Sequence, residues 1–185
     1  MSEPVHLQTP LKSDDLIQLK VGEKVLISGT IYTARDAAHK RLVALIQKGK
    51  ELPFNIKGAV IYFVGPAPAP PDKPIGSAGP TTSYRMDPYS PILLDAGLKA
   101  MIGKGARSQG VVDSMVKNKA IYLAAIGGAA VVTAQAVKAA KVIAYADLGP
   151  EAIRELKVEN FPAFVANDSE GNDIYKIGIE NYCTE

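Results

Sequence analysis

The stretch Lys24-Val25-Leu26-Ile27-Ser28-Gly29-Thr30-Ile31 decides the fold class when it is read together with residues 33 to 49. A run rich in Val, Ile and Thr predicts a strand. After a polar break come Ala38, Leu42, Leu45 and Ile46, apolar at helical spacing, which predicts a helix with one buried face. Thr33 stands three residues before Asp36 as a variant of the capping box, and Gly49 supplies the stop. The same alternation recurs downstream. Gly58 to Val64 predicts a second, buried strand. Ser90 as N-cap and Pro91 at the first helical position open a short helix to Ala96, ended by Gly97.

Further on, Lys99 to Ile102 predicts a strand, and Gly103 to Ser108 opens a helix with Val111, Val112, Met115 and Val116 inward. Ile121 to Ile126 predicts another strand, Gly127-Gly128 a tight turn, and Ala129 to Ala140 an alanine-rich helix. Val142 to Tyr145 reads as a strand and Gly149-Pro150 as one more helix start. Phe161 to Val165 and Ile174 to Ile177 flank a hairpin-type turn over Asn167 to Asn172. Residues 1 to 23 read as an extended arm with a helical turn near Ser13-Asp14-Asp15-Leu16. Strands alternating with helices predict an α/β fold with a largely parallel sheet and an antiparallel ribbon at its end.

Composition limits the function. A chain of 185 residues is the size of one domain, and residues 1–185 are expected to form one. Apolar residues at 47% and charged residues at 22% are ordinary for a globular protein. A net charge of +2 argues against a nucleic-acid surface, which carries a clear basic excess. No apolar run is long enough to span a bilayer, and Met1 to Asp15 lacks the apolar core of a signal peptide. Cys183, the one cysteine, fits a reducing cytoplasm and is too little for a disulfide framework or a cysteine-ligated cluster. His6 and His39 are the only histidines, so no metal site is expected.

One segment is built for something other than burial. Gly79-Pro80-Thr81-Thr82-Ser83-Tyr84-Arg85-Met86-Asp87-Pro88-Tyr89 is crowded with hydroxyl and charged groups and nearly devoid of apolar ones. Six prolines between residues 66 and 80 precede it, predicting a semi-rigid extended connection. Arg35, Arg85, Lys104 and Arg107 lie in this segment or at strand-to-helix junctions, where open α/β sheets collect ligands. Fixed cations converging on a nearly neutral protein suggest a small dianionic ligand, for which the planar fork of arginine suits carboxylates. The bland account makes each of them a surface ion-pair partner.

Thr81 and Thr82 either cap a turn or place a hydroxyl for chemistry, and a threonine hydroxyl acts as a base only when a neighbour activates it. His39, beside Asp36 and Lys40, is a candidate acid or positioning donor, or else a helix histidine bonded to a backbone carbonyl. Gly103-x-Gly105-x-x-Ser108 approaches a dinucleotide fingerprint without its third glycine. A nucleotide- or anion-binding α/β domain is therefore the alternative from a different class.

Gly79-Pro80-Thr81-Thr82, with Arg85-Met86-Asp87, resembles the core motif of the β subunit of class I fumarate hydratases, a family shared with the L-tartrate dehydratases. The resemblance continues at Arg35-Asp36-Ala37-Ala38-His39-Lys40-Arg41, Gly103-Lys104-Gly105, Ile126-Gly127-Gly128 and Phe161-Pro162-Ala163-Phe164. It implies a three-layer β/β/α "swivelling" domain and a hydro-lyase of the tricarboxylic acid cycle that interconverts fumarate and L-malate. It further implies a 4Fe–4S cluster held by a separate α subunit, with this chain as β in an α2β2 assembly active only with α. By position, Arg35, Arg85 and Lys104, with Thr82, would bind a dicarboxylate. Thr81 would take the C3 proton, while Asp36 and His39 would orient the site. The Asp87 and Asn160-Phe161-Pro162-Ala163 passages resemble fumarase more than tartrate dehydratase, which is the alternative within the family.

Overall fold

A computed structural model describes residues 3–125 and 130–182. In chain order come β1 (Val5–Gln8), α1 (Ser13–Leu16), β2 (Lys24–Thr33), α2 (Asp36–Gln47), β3 (Val60–Tyr62), α3 (Ser90–Asp95), β4 (Ala100–Gly103), α4 (Gln109–Asn118) and β5 (Ile121–Ala124). The last third holds α5 (Ala130–Ala136), β6 (Val137–Ala144), β7 (Ile153–Asn167) and α6 (Ile174–Tyr182). Two 3-10 turns, Ser83–Met86 and Ala146–Glu151, lie between these elements.

Strands β1 to β5 run parallel, each bonded to the next. Strand β7 is antiparallel to β5 and β6 along one edge and to β2 along the other. Because β2 and β7 pair from Lys24–Phe164 to Tyr32–Glu155, the ladder β2-β3-β4-β5-β7 closes into a ring, with β1 paired to the first half of β2 and β6 to the first half of β7. Closure leaves these five strands without an open edge between them. The fifteen residues of β7 make this geometry reachable, since one strand must serve β5 near its end and β6 near its start.

Alternate side chains of the ring strands enter two separate cores. Val60, Tyr62, Ala100, Ile102, Ile121 and Leu123 meet Ile27, Ile31, Leu156, Phe161 and Val165 in one. The residues between them, Ile61, Phe63, Met101 and Tyr122, pack instead with Ala38 and Leu42 of α2, Leu93 and Leu94 of α3, and Val112 and Met115 of α4. Strands buried on both faces explain why Gly58 to Val64 reads as a continuous apolar run rather than an alternating one.

The α/β class and the mostly parallel sheet match the sequence reading; the sheet, however, closes. Several local expectations give way. Thr33 does not cap α2: its hydroxyl donates to the Ala152 carbonyl (3.2 Å) and accepts from Arg154 N–H (2.9 Å). The helix from Ala129 to Ala140 stops at Ala136, and Val137 to Ala144 forms β6, because Val137, Val142 and their neighbours find ladder partners on β7. Gly149-Pro150 closes a 3-10 turn rather than opening a helix. Ile174 to Ile177 lies in α6, started by Asp173, whose carboxylate accepts from Tyr175 N–H at 2.9 Å. Val116 points outward, 42% exposed. The proline-rich stretch doubles back, with Ala67 N–H donating to Ser77 O (2.9 Å) and Gly76 N–H to Ala67 O (3.1 Å). The Gly127-Gly128 turn and Cys183 lie outside the described residues.

Candidate active site

The polar motif is stitched to the carboxyl ends of β3 and β4. Thr81 N–H donates to Phe63 O, just past β3, at 2.6 Å, and Ser83 N–H donates to Lys104 O, just past β4, at 3.0 Å. Thr82 and Lys104 form a parallel bridge. Beneath it a chain of hydroxyls orders the two segments: Lys104 N–H donates to Ser83 Oγ (3.1 Å), Ser83 Oγ lies 2.7 Å from Tyr122 Oη, and Tyr122 Oη donates to Gly105 O (2.9 Å). Gly103 leaves the room for this, since a Cβ there would fall 2.0 Å from Ser83 Oγ.

Arg35 caps α2 directly after β2, and Asp36 is the first helical residue. Asp36 Oδ2 accepts from Arg85 at 2.7 Å, joining α2 to the motif. Arg35 pairs with Glu151 at 3.0 Å and lies 3.9 Å from Asp36 Oδ1. Arg35 Nε and Asp36 Oδ1 are buried and carry no hydrogen-bond partner. Arg35, Asp36, Thr81, Thr82, Arg85 and Lys104 thus gather at one end of the ring. Arg85 and Lys104 are exposed, and among the described residues Lys104 has no ion-pair partner.

Two residues of the sequence reading sit apart. His39 is fully buried, its Nδ1 at 2.8 Å from the Arg35 carbonyl and its ring edge-on to Phe63. Burial drives its pKa down to about 4, with the nearby Arg107 charge adding to the fall, so the imidazole is neutral. Arg107 is 6% exposed and fully committed. It bonds Asp87 (2.8 Å) and Ser90 Oγ (2.7 Å) and lies over the rings of Phe63 and Tyr122. Asp87 also accepts Ser108 N–H at 2.7 Å. A carboxylate therefore occupies the start of α4, the place where a dinucleotide phosphate would bind.

Glu151, Ser83 and Tyr122 were not legible as site residues. Glu151 reaches Arg35 from far along the chain, and no local pattern signals such a pair. Among the described residues no three His, Cys, Asp or Glu side chains are placed to hold a metal ion. A cavity of about 450 Å³ lies between the proline-rich loop and α5, and none of the candidate residues lines it.

A closed, mostly parallel sheet thus carries two arginines, a lysine and paired threonines together at one end of an α/β domain. The chain belongs to the Fumarase C-terminus family, whose model matches residues 1–178. It is 44% identical over 183 residues to the anaerobic class I fumarate hydratase of Escherichia coli and 41% identical over 184 residues to the aerobic one. These alignments cover 97% of this chain but only 33% and 34% of those enzymes, so the chain spans about a third of their length. A Methanocaldococcus jannaschii protein named "Putative L(+)-tartrate dehydratase subunit beta" is 38% identical over 172 residues, covering 90% of this chain and 88% of that protein.

Proposed function

We propose that this chain is the β component of a class I hydro-lyase that interconverts fumarate and L-malate, working only with an α component. The observation that carries the proposal is the convergence of Arg35, Arg85 and Lys104 beside Thr81 and Thr82 at the carboxyl ends of β2, β3 and β4. Arg35, Arg85 and Lys104 grip the two carboxylates of the substrate. Dehydration of malate breaks a C3–H bond, and its electron pair forms the double bond as the C2 hydroxyl departs. Negative charge grows beside a carboxylate as that proton leaves, and fixed cations stabilise it best where water is excluded. Thr81, once a neighbouring base has taken its hydroxyl proton, accepts the C3 proton; Asp36 holds Arg85 in place. His39 supports Arg35 through its carbonyl rather than by touching substrate.

The described residues do not provide ligands for a 4Fe–4S cluster; in this reading the α component would hold it, and it would supply Lewis-acid chemistry at the leaving hydroxyl. The assembly is taken as α2β2 and cytoplasmic, and no helix among the described residues is long and apolar enough to cross a membrane. The chain is read as one domain, with the two walls of the ring as the β layers and α2 to α4 as the α layer of a three-layer β/β/α arrangement. The coverage of the M. jannaschii subunit favours a second reading, the β subunit of an L-tartrate dehydratase.

The test uses the chain assembled anaerobically with its α component. Thr81→Val should lower kcat by at least about 100-fold, the usual minimum for a lost proton-transfer group, with little change in KM. Thr82→Val should be milder. Exchange of the malate C3 hydrogen with solvent deuterium at the wild-type rate in Thr81→Val would show that the threonine only caps the turn. Turnover of L-tartrate in preference to malate would select the second reading.

A further inference from the structure

We infer that Glu151 is a positioning residue that sets the guanidinium of Arg35 for a substrate carboxylate, an inference that rests on the function proposed for Arg35. Glu151 Oε1 pairs with Arg35 Nη2 at 3.0 Å, while Oε2 accepts from Ala37 N–H in the first turn of α2 at 3.4 Å. One carboxylate thereby ties both the side chain of Arg35 and the helix end that carries it. Glu151 engages Nη2 alone, while Arg35 Nε is buried without a hydrogen-bond partner and Nη1 lies beside Gly65, where an added Cβ would come within 3.3 Å of it. An arginine gripped on one prong keeps donors for a ligand while losing the freedom to rotate away from it.

The turn that bears Glu151 is itself held. Arg41 of α2 makes a two-pronged pair with Asp147 at 2.9 and 2.5 Å, and its guanidinium covers the ring of Tyr145 at 5.0 Å. On the other side Thr33 Oγ1 bonds Ala152 O, and Arg154 donates to the carbonyls of Gly149 and Pro150. A carboxylate on a segment braced at both ends can orient a neighbour without moving itself. Asp36 lies between the two arginines, 2.7 Å from Arg85 and 3.9 Å from Arg35, and Glu151 at 3.0 Å is the nearer acid of Arg35. The charge of Lys104 is the one that no described carboxylate offsets.

The experiment is a double-mutant cycle on the assembled enzyme, with fumarate hydration as the readout. Glu151→Gln keeps the shape and an acceptor for Ala37 N–H but removes the charge that holds Arg35. We expect kcat/KM to fall about 10- to 100-fold, as for a misplaced binding group, mostly through KM, with the melting temperature of the isolated chain little changed. In an Arg35→Lys background the same substitution should cost less than about twofold more, because the residue it acts through is already gone. Glu151→Asp keeps the charge but withdraws it by one methylene, and should show the same KM-weighted loss. Equal losses from Glu151→Gln in both backgrounds would overturn the inference, leaving Glu151 as a cap of α2. Normal kinetics in Glu151→Gln alongside an impaired Arg35→Lys would overturn it too while sparing the role of Arg35. Normal kinetics in Arg35→Lys would sink the role of Arg35 and the inference with it.

Discussion

At the scale of single residues, burial decides which charges are available for chemistry. Arg107 carries the same charge as Arg85, yet its side chain has no exposure whereas that of Arg85 has 40%. Removing Arg107 strands Asp87, 13% exposed at its side chain, without its counter-charge. Arg107→Ala should therefore cost about 3–5 kcal/mol in urea denaturation, the range for breaking a buried pair, while Arg85→Ala should cost much less. Arg85→Lys tests the other side of the contrast: it keeps charge but loses the fork, and should lower kcat/KM about 100-fold in the assembled enzyme. His39 adds a pH dependence. Its folded pKa, about 4, lies below the ordinary 6.5, so between these values the unfolded chain binds more protons. The contribution is intact above pH 6.5 and declines as pH falls toward 4, by about 3 kcal/mol in all. His39→Phe should flatten the fall of the melting temperature between pH 6.5 and 5, above the range where most carboxylates titrate.

At the scale of elements, the site depends on how the motif lies against β4. The Ser83 hydroxyl fills the space over Gly103 and is bound on both sides, by Lys104 N–H and by Tyr122. A methyl group at Gly103 would sit 2.0 Å from Ser83 Oγ and 2.9 Å from the Phe63 ring, closer than real contacts allow. Gly103→Ala should destabilise the chain by about 1–3 kcal/mol, the cost of overpacking. It should also lower the activity of the assembled enzyme, since Thr81 and Arg85 ride on the displaced segment. Stability measured in urea and kcat/KM measured on the same variant check both halves. The α3 boundary is as tightly built: Gly97 takes φ +115, and a Cβ there would fall 3.1 Å from Lys57 Cγ, which leaves little room for any other residue.

At the scale of the molecule, the two cores share the same strands. Residues 60, 62, 100, 102, 121 and 123 enter one while 61, 63, 101 and 122 enter the other. Neither core can dissolve without breaking the ladder that supports the other. Unfolding of the isolated chain should therefore be a single transition, with far-UV and near-UV circular dichroism coincident in urea. Two separated transitions would divide the chain into two units. Under the proposed function the isolated chain should hydrate no fumarate until an α component is added, since Arg85 and Lys104 are exposed here and fixed cations act best where water is excluded.

The α/β class, strands β2 to β5, and helices α2 to α4 follow from the sequence alone, because each is a local pattern of apolar spacing and stop residues that neighbouring chain does not override. The motif around Thr81 and Arg85 stood out for a related reason, its scarcity of apolar groups, although Ser83 and Met86 within it are buried. Closure of the sheet was not legible, since whether β7 pairs with β2 depends on two strands separated by most of the chain. The same ladder turned Val137 to Ala140 from the end of an alanine-rich helix into the start of β6, whose later part, from Val142, the sequence already read as a strand. Among the charged residues, sequence named the cations but not their fates. Arg107 became structural and Arg35 acquired Glu151 only when folding brought distant carboxylates within about 3 Å, because charge pairing is set by distance in space and not by spacing along the chain.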